Sequence, residues 1–445
     1  MNTSGLVVLL ALLLVIGGGV ATWIRAEGTP PTLELPEALV VGRAGGTLAL
    51  AASDAGAGLR SLDVVIRHAD GEISLLTESF PGNAISGGVR NEHEVEIPLE
   101  PEALAAIQGD ALLVATSRDW SWREFFSGNE AVIEIPFVLD LEPPRVEVSS
   151  GLTYVNQGGA GAVAYSLSEP AAFDGVQVGE HLFRGYPRPG GGRRDRIALF
   201  AVPSELRGVT PQVIARDAAG NEGSSSWPVV VKPRSQPKGT VNLPQSFLDR
   251  VVPRLAGPSD EQDLGAVFNE VNTKLRAENE IQIRELLAES SDRLHFDGAL
   301  EQLKNSQVTS RFAEQRIYLV DGRAISSATH YGYDLASTAG APITAAAAGS
   351  VAWAGELGIY GNCVLIDHGL GLGSLYGHLS SIDVKAGDPV QKGQTLGRSG
   401  ATGLAGGDHL HFAILIGDTY VDPLEWWDEK WVQTHVLERL GPPAL

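Results

Sequence analysis

The stretch AWAGELGIYGNCVLIDHGLGLGSLYGHLSSIDVKAGDPVQKGQTLGRSGATGLAGGDHLHF, residues 352–412, decides the fold of the C-terminal part of this chain. Its short apolar runs alternate with glycine-containing turns, a pattern typical of antiparallel strands. With His330 just upstream, five of the chain's ten histidines fall between positions 330 and 411. We therefore expect a β-sheet domain that carries a histidine-rich site.

The pair His409 and His411 lies in the apolar sequence GDHLHFAIL, which predicts a strand. Alternate residues of a strand point to the same face, so both imidazoles are expected to share one site. Chance placement of the histidines gives roughly 0.2 pairs at this spacing. A half-exposed strand face would therefore explain the pair if nothing else accompanied it.

A second pair, His330 and Asp334, lies in THYGYDLAS. Gly332 and the flanking aromatic residues argue against a helix, so the pair is expected on a loop that enters a strand. Joined with His411, it supplies two imidazole nitrogens and one carboxylate. This is the ligand set of a hydrolytic zinc ion that keeps one position open for water.

Together with His378 in YGHLS, these motifs resemble the lysostaphin-type peptidoglycan endopeptidases. The resemblance covers residues from about 322 to 427 and includes the H-x-x-x-D and H-x-H pairs in the same order. Members of that family are zinc enzymes built on a small antiparallel β-sheet domain. The resemblance thus implies a hydrolase that cuts peptide bonds in the bacterial cell wall.

Carried over by position, the resemblance implies that His330, Asp334 and His411 bind one Zn²⁺ per chain. It also implies that His378 and His409 are the catalytic histidines. His409 is the candidate to accept the proton of a metal-bound water, and His378 the candidate to stabilise the oxyanion. The two roles could be exchanged, so the general base stays open.

Three neighbouring residues carry further expectations. His368 in IDHG is not a ligand by this resemblance and is expected to be structural. Tyr376, two residues before His378 on one expected strand, is expected to line the substrate groove. Asp408 stands where proline is common in the family, and a carboxylate there is expected to raise the pKa of His409.

Residues 29–141 and 142–232 each predict short strands separated by Gly, Asp and Asn turns. The C-terminal ends of the two segments share one pattern: a strand, an Asp turn, a Gly-Asn pair and a last strand. The two stretches are ALLVATSRDWSWREFFSGNEAVIEIPFV and PQVIARDAAGNEGSSSWPVVV. We interpret them as tandem immunoglobulin-like β-sandwiches that act as a spacer. The first contains four aromatic residues near its end, Trp120, Trp122, Phe125 and Phe126. They could form an exposed recognition patch, although alternating aromatics in a strand are more often core.

Residues 233–310 are expected to form a linker and a helical region, with helices over about 260–290 and 297–306. These helices could act as a lid, a prodomain-like cover or a dimerisation arm. The endopeptidase domain is expected over 311–432 and a C-terminal tail over 433–445. The predicted fold class is thus mainly β and multidomain, with a C-terminal antiparallel β metallopeptidase domain.

The N-terminal 28 residues predict a transmembrane anchor with a span at about 6–24. This uncharged stretch of 19 residues can cross a hydrocarbon core of about 30 Å. It is longer than the apolar region of a signal peptide, roughly 7–15 residues. Cleavage near Ala21 or Ala26 is the alternative.

Charge and composition narrow the function further. A formal net charge of -21 argues against nucleic-acid binding, because a phosphate-binding surface needs clustered Lys and Arg. The expected function is a zinc endopeptidase that acts on peptidoglycan stem or cross-link peptides, tethered to the bacterial inner membrane and facing the periplasm or wall. The alternative is a non-catalytic activator or scaffold that binds cell-wall amidases through a peptidase-like groove. A biotinyl- or lipoyl-type carrier module would leave the histidines unexplained.

Overall fold

A computed structural model describes residues 25–107, 109–257 and 263–441. The chain is mainly β, with few helices. The predicted membrane span at 6–24 lies outside these residues. Among the described residues, none of the helices combines the length and the apolar character needed to cross a bilayer.

The chain divides into two compact units. The first comprises Met1–Pro143 together with Arg216–Asn221, and the second comprises Pro144–Ala215 together with Glu222–Leu445. The second β module and the C-terminal domain thus belong to one unit. Sequence patterns did not indicate this, because each segment alone has the alternation of an independent module.

Ten strands lie in the part of the first unit that the structure describes. Their bounds are β1 (Thr32–Glu34), β2 (Leu39–Val41), β3 (Gly46–Ser53), β4 (Leu59–His68), β5 (Gly71–Ser79), β6 (Gly82–Asn83), β7 (Gly87–Gly88), β8 (Glu92–Leu99), β9 (Ala111–Asp119) and β10 (Glu130–Leu139). A short helix, α1 (Pro101–Leu104), follows β8.

Two sheets of this unit share one apolar core. One has the order β1-β3-β8 and the other β2-β10-β9-β4-β5. Along β4, the alternate residues Leu62, Val64 and Ile66 are fully buried, and they belong to the same core cluster as Leu48 and Leu50 of β3. Period-two alternation therefore produced the expected two-layer β structure.

The aromatic residues after β9 do not all belong to the core. Phe125 and Phe126 are 99% and 60% exposed, whereas Trp120 and Trp122 are partly buried. The expectation of a core role is therefore wrong for the two phenylalanines. They lie beyond the end of β9, in a turn over Arg123–Phe126 with left-handed backbone angles, and so outside the strand alternation.

The second module contains ten strands in sheets ordered β11-β13-β17-β16, β15-β14-β18-β19 and β12-β20. Their bounds are β11 (Val146–Val148), β12 (Thr153–Asn156), β13 (Ala160–Leu167), β14 (Phe173–Val178), β15 (His181–Arg184), β16 (Tyr186–Pro187), β17 (Asp195–Ala201), β18 (Gln212–Arg216), β19 (Glu222–Ser225) and β20 (Val229–Lys232).

The repeated Asp and Asn pattern of the two modules corresponds to one repeated hydrogen-bond motif. In the first module, Asp119 accepts from the backbone N–H and side-chain amide of Asn129, at 2.7 and 2.8 Å. In the second, Asp217 accepts from the same two groups of Asn221, both at 2.9 Å. This Asp–Asn bridge closes the last hairpin in each module.

The remaining strands form the C-terminal part of the chain. They are β21 (Lys238–Asn242), β22 (Gln307–Ser310), β23 (Glu314–Val320), β24 (Arg323–His330), β25 (Tyr333–Ala336), β26 (Pro342–Thr344), β27 (Gly349–Glu356), β28 (Asn362–Gly369), β29 (Leu372–Leu379), β30 (Ser381–Ile382), β31 (Pro389–Val390), β32 (Thr395–Arg398), β33 (Leu410–Ile416) and β34 (Thr419–Val421).

An eight-stranded sheet organises this part of the chain. Its order is β22-β25-β33-β29-β28-β27-β31, with β34 paired to β33. The smaller sheet β26-β32-β30 completes the domain. The central strands β29 and β33 are buried along their whole length, which explains their near-continuous apolar sequence.

Among the described residues, helices are fewer than strands. They are α2 (Gln245–Ala256), α3 (Leu264–Glu270) and α4 (Arg276–Leu287), with a π-helical turn Val271–Leu275 between α3 and α4, a 3₁₀ turn Gly358–Tyr360, and α5 (Pro423–Trp426), α6 (Glu429–Val432), a π turn Gln433–Leu437 and α7 (Glu438–Leu440).

The region between the second module and the large sheet departs from expectation in two ways. Helices do occupy most of 260–290, but 297–306 has no helix. The segment 233–244, expected as a linker, contains β21, which pairs in parallel with β23. The sheet β21-β23-β24 packs on α2 and α3 through an apolar cluster that includes Phe268 and Tyr318. We call this assembly, β21, α2–α4 and the β23–β24 hairpin, the helical module.

Glu425 ties the second β module to the C-terminal domain. Its carboxylate accepts hydrogen bonds from the side-chain amide of Asn156 at 2.7 Å and the backbone N–H of Ala160 at 3.1 Å. Burial raises the pKa of Glu425 to about 7.

Replacing Glu425 with alanine is expected to destabilise this unit by about 2–4 kcal/mol, because two buried donors lose their acceptor. Urea denaturation followed by tryptophan fluorescence would measure the change. Leu424→Ala, at an adjacent and 53% exposed position, is the control. Equal unfolding midpoints for the two variants would contradict the expectation.

Candidate metal centre

Strand pairing brings the three candidate ligands together. Asp334 in β25 lies directly opposite His411 in β33. His330 is the last residue of β24, separated from β25 by two residues. The loop between the two strands thus returns the chain so that both side chains of the H-x-x-x-D pair meet His411, as the sequence indicated.

The three ligand atoms form a nearly equilateral triangle. His330 Nε2 lies 2.9 Å from Asp334 Oδ1 and 3.0 Å from His411 Nδ1, and His411 Nδ1 lies 3.0 Å from Asp334 Oδ1. Donors that share a tetrahedral ion at about 2.0–2.1 Å lie roughly 3.3 Å apart. All three residues are buried, and the group satisfies the requirements for holding one metal ion.

Neighbouring groups orient two of these ligands. The Nδ1–H of His330 donates to the backbone carbonyl of Arg311 at 3.0 Å, so its Nε2 lone pair faces the centre. The second carboxylate oxygen of Asp334 accepts from Arg316 Nη2 at 2.9 Å, and Arg316 Nε donates to Glu314. Arg316 lies on β23 and was not singled out from the sequence.

Close packing positions the third ligand. The Nε2 of His411 is buried without a hydrogen-bond partner. A Cβ atom at Gly332 would lie 2.8 Å from this nitrogen and 2.7 Å from the carbonyl oxygen of Phe412. Only glycine therefore fits between the H-x-x-x-D pair and the His411 ring.

His378 and His409 lie beside the triangle. Their ring centroids are 4.8 Å apart, and His409 Nε2 lies 3.6 Å from Asp334 Oδ1. The Nδ1–H of His378 donates to the Thr402 carbonyl at 2.9 Å, and that of His409 to the Gly407 carbonyl at 2.8 Å. Both rings therefore keep Nε2 available to the cleft.

The surroundings shift the pKa values of Asp334, His378 and His409 in different directions. Burial opposes ionisation of Asp334, but the surrounding imidazoles, His330 foremost, hold its pKa well below the usual value. Burial and the neighbouring rings lower the pKa of His378 well below its usual value. Burial also disfavours the charged form of His409, but its contact with Asp334 prevails and raises its pKa.

Asp408 is not the cause of that increase. Its carboxylate accepts from the Ser399 hydroxyl at 2.6 Å and from the Gly340 backbone N–H at 3.0 Å. The carboxylate that raises the pKa of His409 is Asp334. The expectation for Asp408 is therefore wrong, because a neighbour in sequence on an irregular segment need not face the same side.

Tyr376 does not line the cleft. It is 1% exposed, and its hydroxyl accepts hydrogen bonds from the Ala346 backbone N–H at 2.8 Å and from the Ser374 hydroxyl at 3.0 Å. A register shift in the pairing of β29 with β28 interrupts the alternation between Tyr376 and His378. His378 itself has a left-handed backbone with φ of 65°. The two side chains therefore do not share a face.

His368 lies in the core, as expected for a structural residue. It is fully buried, its Nδ1 contacts the Ala348 carbonyl at 2.8 Å and its Nε2 contacts the Ser374 hydroxyl at 2.7 Å. Burial lowers its pKa to about 4, so the ring is neutral near pH 7.

A cleft of about 410 Å³ opens onto the histidines and Asp334. The helical module also lines this cleft, through Phe247 and Arg250 of α2, Arg276 of α4 and Arg316 of β23. Three guanidinium groups thus line one cleft of a strongly acidic chain. Sequence reasoning missed them, since they are scattered over 67 positions with no shared motif.

The arrangement combines three convergent metal-binding atoms, two imidazoles with free nitrogens and an open cleft. This combination can activate a water molecule and transfer protons in hydrolysis.

Comparisons with known proteins agree with this chemistry. Residues 328–423 match peptidase family M23. The peptidoglycan DD-endopeptidase ShyB of Vibrio cholerae is 36% identical over 119 residues, 27% of each chain. The DD-carboxypeptidase/endopeptidase Mpg of Neisseria meningitidis is 39% identical over 95 residues, 21% of this chain and 22% of that protein.

Among solved structures, the catalytic domain of the antimicrobial peptidase lysostaphin from Staphylococcus simulans is 30% identical. That match covers 29% of this chain and 96% of that one, with a TM-score of 0.25. The chain spans about a quarter of the length of the curated relatives it matches. The similarity and the geometry coincide at the same histidines, so the C-terminal part of this chain contains a domain of peptidase family M23.

Proposed function

We propose that this protein is a zinc-dependent endopeptidase that hydrolyses peptide bonds in the stem or cross-link peptides of peptidoglycan, for cell-wall remodelling. The observation that carries the proposal is the convergence of His330 Nε2, Asp334 Oδ1 and His411 Nδ1 to within 3.0 Å of one another at the base of an open cleft. The similarity to ShyB, a peptidoglycan DD-endopeptidase, and to Mpg, a DD-carboxypeptidase/endopeptidase, supports the substrate class.

His330, Asp334 and His411 would hold one zinc ion, because two imidazoles and a carboxylate suit a hydrolytic zinc site better than a calcium or magnesium site. When bound, the ion supplies Lewis acidity and lowers the pKa of a water from about 15.7 towards about 7. Asp334 remains ionised throughout, because the surrounding imidazoles hold its pKa low.

His409 is the proposed acceptor of the water proton. Its Nε2 is available to the cleft, since Nδ1–H is committed to the Gly407 carbonyl. As the water oxygen bonds to the carbonyl carbon and the C–N bond breaks, the proton passes from His409 to the leaving amine. His378 is assigned to the carbonyl oxygen as negative charge develops there, a role that requires a proton on its Nε2. Because its Nδ1–H is committed to the Thr402 carbonyl, only the imidazolium form of His378 supplies that proton. The same geometry allows the two roles to be exchanged.

The proposed location is the bacterial inner membrane, with a single-pass anchor at 6–24 and the catalytic domain in the periplasm or wall. The length and apolar character of this segment support it. We propose that both β modules are immunoglobulin-like, on the basis of their sheets and the repeated Asp–Asn bridge. Apart from Arg216–Asn221, the second module lies in the same compact unit as the peptidase domain, and we propose that it supports that domain.

Digestion of purified sacculi tests the proposed function. The full chain loaded with zinc is expected to release products with intact glycan and one newly hydrolysed peptide bond, identified by mass spectrometry. A chelator should stop release and added zinc restore it. Sacculi that stay intact, together with activation of a cell-wall amidase on mixing, would instead establish the activator function.

Arg316 is expected to strengthen metal binding through Asp334. Replacing Arg316 with glutamine removes the cation that fixes the second carboxylate oxygen, so zinc affinity should fall about 10- to 100-fold. Competition with a chromophoric chelator measures this affinity. Arg323→Gln on the same hairpin, whose side chain is 73% exposed, is the matched control. Equal zinc affinities for the two variants would contradict this role.

Arg250 is expected to bind carboxylates of the substrate. It lies on α2, lines the cleft and makes no ion pair among the described residues. Replacing it with alanine should raise KM about 3- to 10-fold for stem peptides with free carboxylates. Arg254→Ala, one turn along α2 and outside the cleft lining, should leave KM unchanged. If amidated and free-acid peptides respond equally to Arg250→Ala, the carboxylate contact is excluded.

A further inference from the structure

The first unit presents exposed apolar side chains at one end of its sheets. Phe125 is 99% exposed, Phe126 60% and Ile85 87%. The phenylalanines lie in the loop between β9 and β10, and Ile85 lies in the turn between β6 and β7. We call these three residues the apolar tip. Their exposure is unfavourable in water and indicates a surface that is covered by a partner.

Specific contacts hold the two loops of the apolar tip together. The Trp122 indole N–H donates to the Ala84 carbonyl, which precedes Ile85. The rings of Trp122 and Phe126 lie with centroids 6.0 Å apart. The Asn83 side chain accepts from the backbone N–H of Ile85 at 2.9 Å. The tip is therefore an ordered surface formed by two loops that contact each other.

The backbone of the tip is strained. Glu124, Phe125 and Phe126 have φ values of 49°, 58° and 72°. The left-handed region is costly for residues with a Cβ, and three in succession are rare. Such conformations persist where the surroundings enforce them, and they concentrate at functional sites. Here they turn two phenyl rings out of the fold.

The first described residues of this unit are hydrogen-bonded to this same tip. The Trp122 backbone N–H donates to the Arg25 carbonyl at 2.7 Å, and Arg25 Nη2 donates to the Trp120 carbonyl at 3.1 Å. Arg123 Nε donates to the Ala26 carbonyl at 3.0 Å, and the Ser121 hydroxyl donates to the Glu27 carbonyl at 3.0 Å. Four hydrogen bonds thus fix residues 25–27 to the loop that carries Phe125 and Phe126.

This attachment leaves no spacer between the predicted span at 6–24 and the apolar tip. We propose that the apolar tip inserts into the interface of the same lipid bilayer that the span crosses. The inference rests on the proposed anchor and goes beyond the proposed activity. Arg25 follows the predicted span directly and is hydrogen-bonded to the loop that carries Phe125 and Phe126. If the span crosses the bilayer, this loop lies within one or two residue lengths of the headgroups.

The chemistry of the tip suits a lipid surface. Phenylalanine and tryptophan favour the boundary between headgroups and acyl chains. Two arginines lie beside them, Arg123 in the loop itself and Arg60, which donates to the Phe126 carbonyl at 2.8 Å. Glu124 is the only carboxylate in the sequence from 120 to 128. Lipid headgroups offer phosphates to these guanidinium groups. The predicted span would place lipids beside Arg25, whereas no observation places a protein partner there.

A fluorescence experiment on the full chain tests this contact. The single native cysteine, Cys363, is fully buried, so an introduced cysteine can be labelled selectively. Phe125→Cys carries an environment-sensitive dye in vesicles of phosphatidylethanolamine and phosphatidylglycerol that contain a lipid-borne quencher. Asp70→Cys is the control, because β4 runs from the tip at Leu59 to His68, placing Asp70 about 30 Å away.

The dye at position 125 should be quenched by the lipid-borne quencher at least about threefold more than the dye at position 70. Iodide in the water should show the reverse order. Replacing Phe126 and Ile85 with serine in the Phe125→Cys chain should reduce the lipid quenching. If carbonate-washed vesicles retain the chain but both dyes respond alike, the tip contact is wrong and the anchor stands. If the vesicles do not retain the chain, anchor and tip contact both fall, while sacculus digestion still tests the activity.

Discussion

Replacing His411 with alanine is expected to abolish both zinc binding and peptide cleavage. The variant removes one of three converging donors, and the remaining His330 and Asp334 offer too few protein ligands for a tetrahedral zinc site. Zinc content should fall from about one ion per chain to near background. Cleavage of sacculi should fall by about three orders of magnitude or more, since the metal provides several kcal/mol of transition-state stabilisation.

The measurement pairs elemental analysis of purified protein with the rate of soluble-peptide release from sacculi. His295→Ala serves as the control, because His295 is exposed and lies outside the cleft lining. Thermal unfolding of both variants shows whether the fold persists. Full cleavage by a folded His411→Ala protein would remove the proposed metal centre.

Replacing His409 with alanine is expected to separate metal binding from catalysis. His409 is not among the three converging donors, so the variant should keep about one zinc ion per chain. Its rate should fall about 10²- to 10⁴-fold, the range for loss of a general acid–base group. The effect should appear in kcat more than in KM, because the proton transfer occurs in the chemical step.

His378→Ala gives the matched comparison at the other free imidazole. If His409 accepts the water proton, an added small amine base such as imidazole should rescue His409→Ala more than His378→Ala. The opposite order would assign acceptance of the water proton to His378 and stabilisation of the oxyanion to His409. Loss of zinc from His409→Ala would place this residue among the ligands and contradict its assignment to proton transfer.

The sequence was sufficient to predict which residues meet at the site. His330, Asp334 and His411 lie on strands whose alternation fixes the direction of each side chain, and the β25–β33 register places two of them opposite each other. The mainly β character followed from the same alternation. The β character and the shared face of His409 and His411 follow from local periodicity, which a single sequence contains. The grouping of His330, Asp334 and His411 as ligands was implied by the family resemblance, and the H-x-x-x-D pair was expected on a loop that enters a strand.

Features that depend on packing between distant segments could not be predicted. Arg316 reaches Asp334 only because β23 pairs with β24 and β21 to form the helical module. Arg250 reaches the cleft from α2, far upstream of the histidine motifs. No local pattern in the sequence distinguishes these two arginines from the others in the chain.

Local irregularities explain the wrong predictions. Tyr376 was expected on the face of His378, but the register shift between them turns it into the core. Phe125 and Phe126 were expected in the core, but the strand ends before them. A single extra or unpaired residue reverses the direction of every side chain that follows, and its position is set by tertiary contacts.

Anomalous X-ray diffraction at the zinc edge, from crystals of the full chain, tests the central claim most directly. One strong peak is expected at about 2.0–2.2 Å from His330 Nε2, Asp334 Oδ1 and His411 Nδ1. A zinc peak elsewhere in a folded and active protein, or the absence of any peak in crystals of active protein, would contradict it.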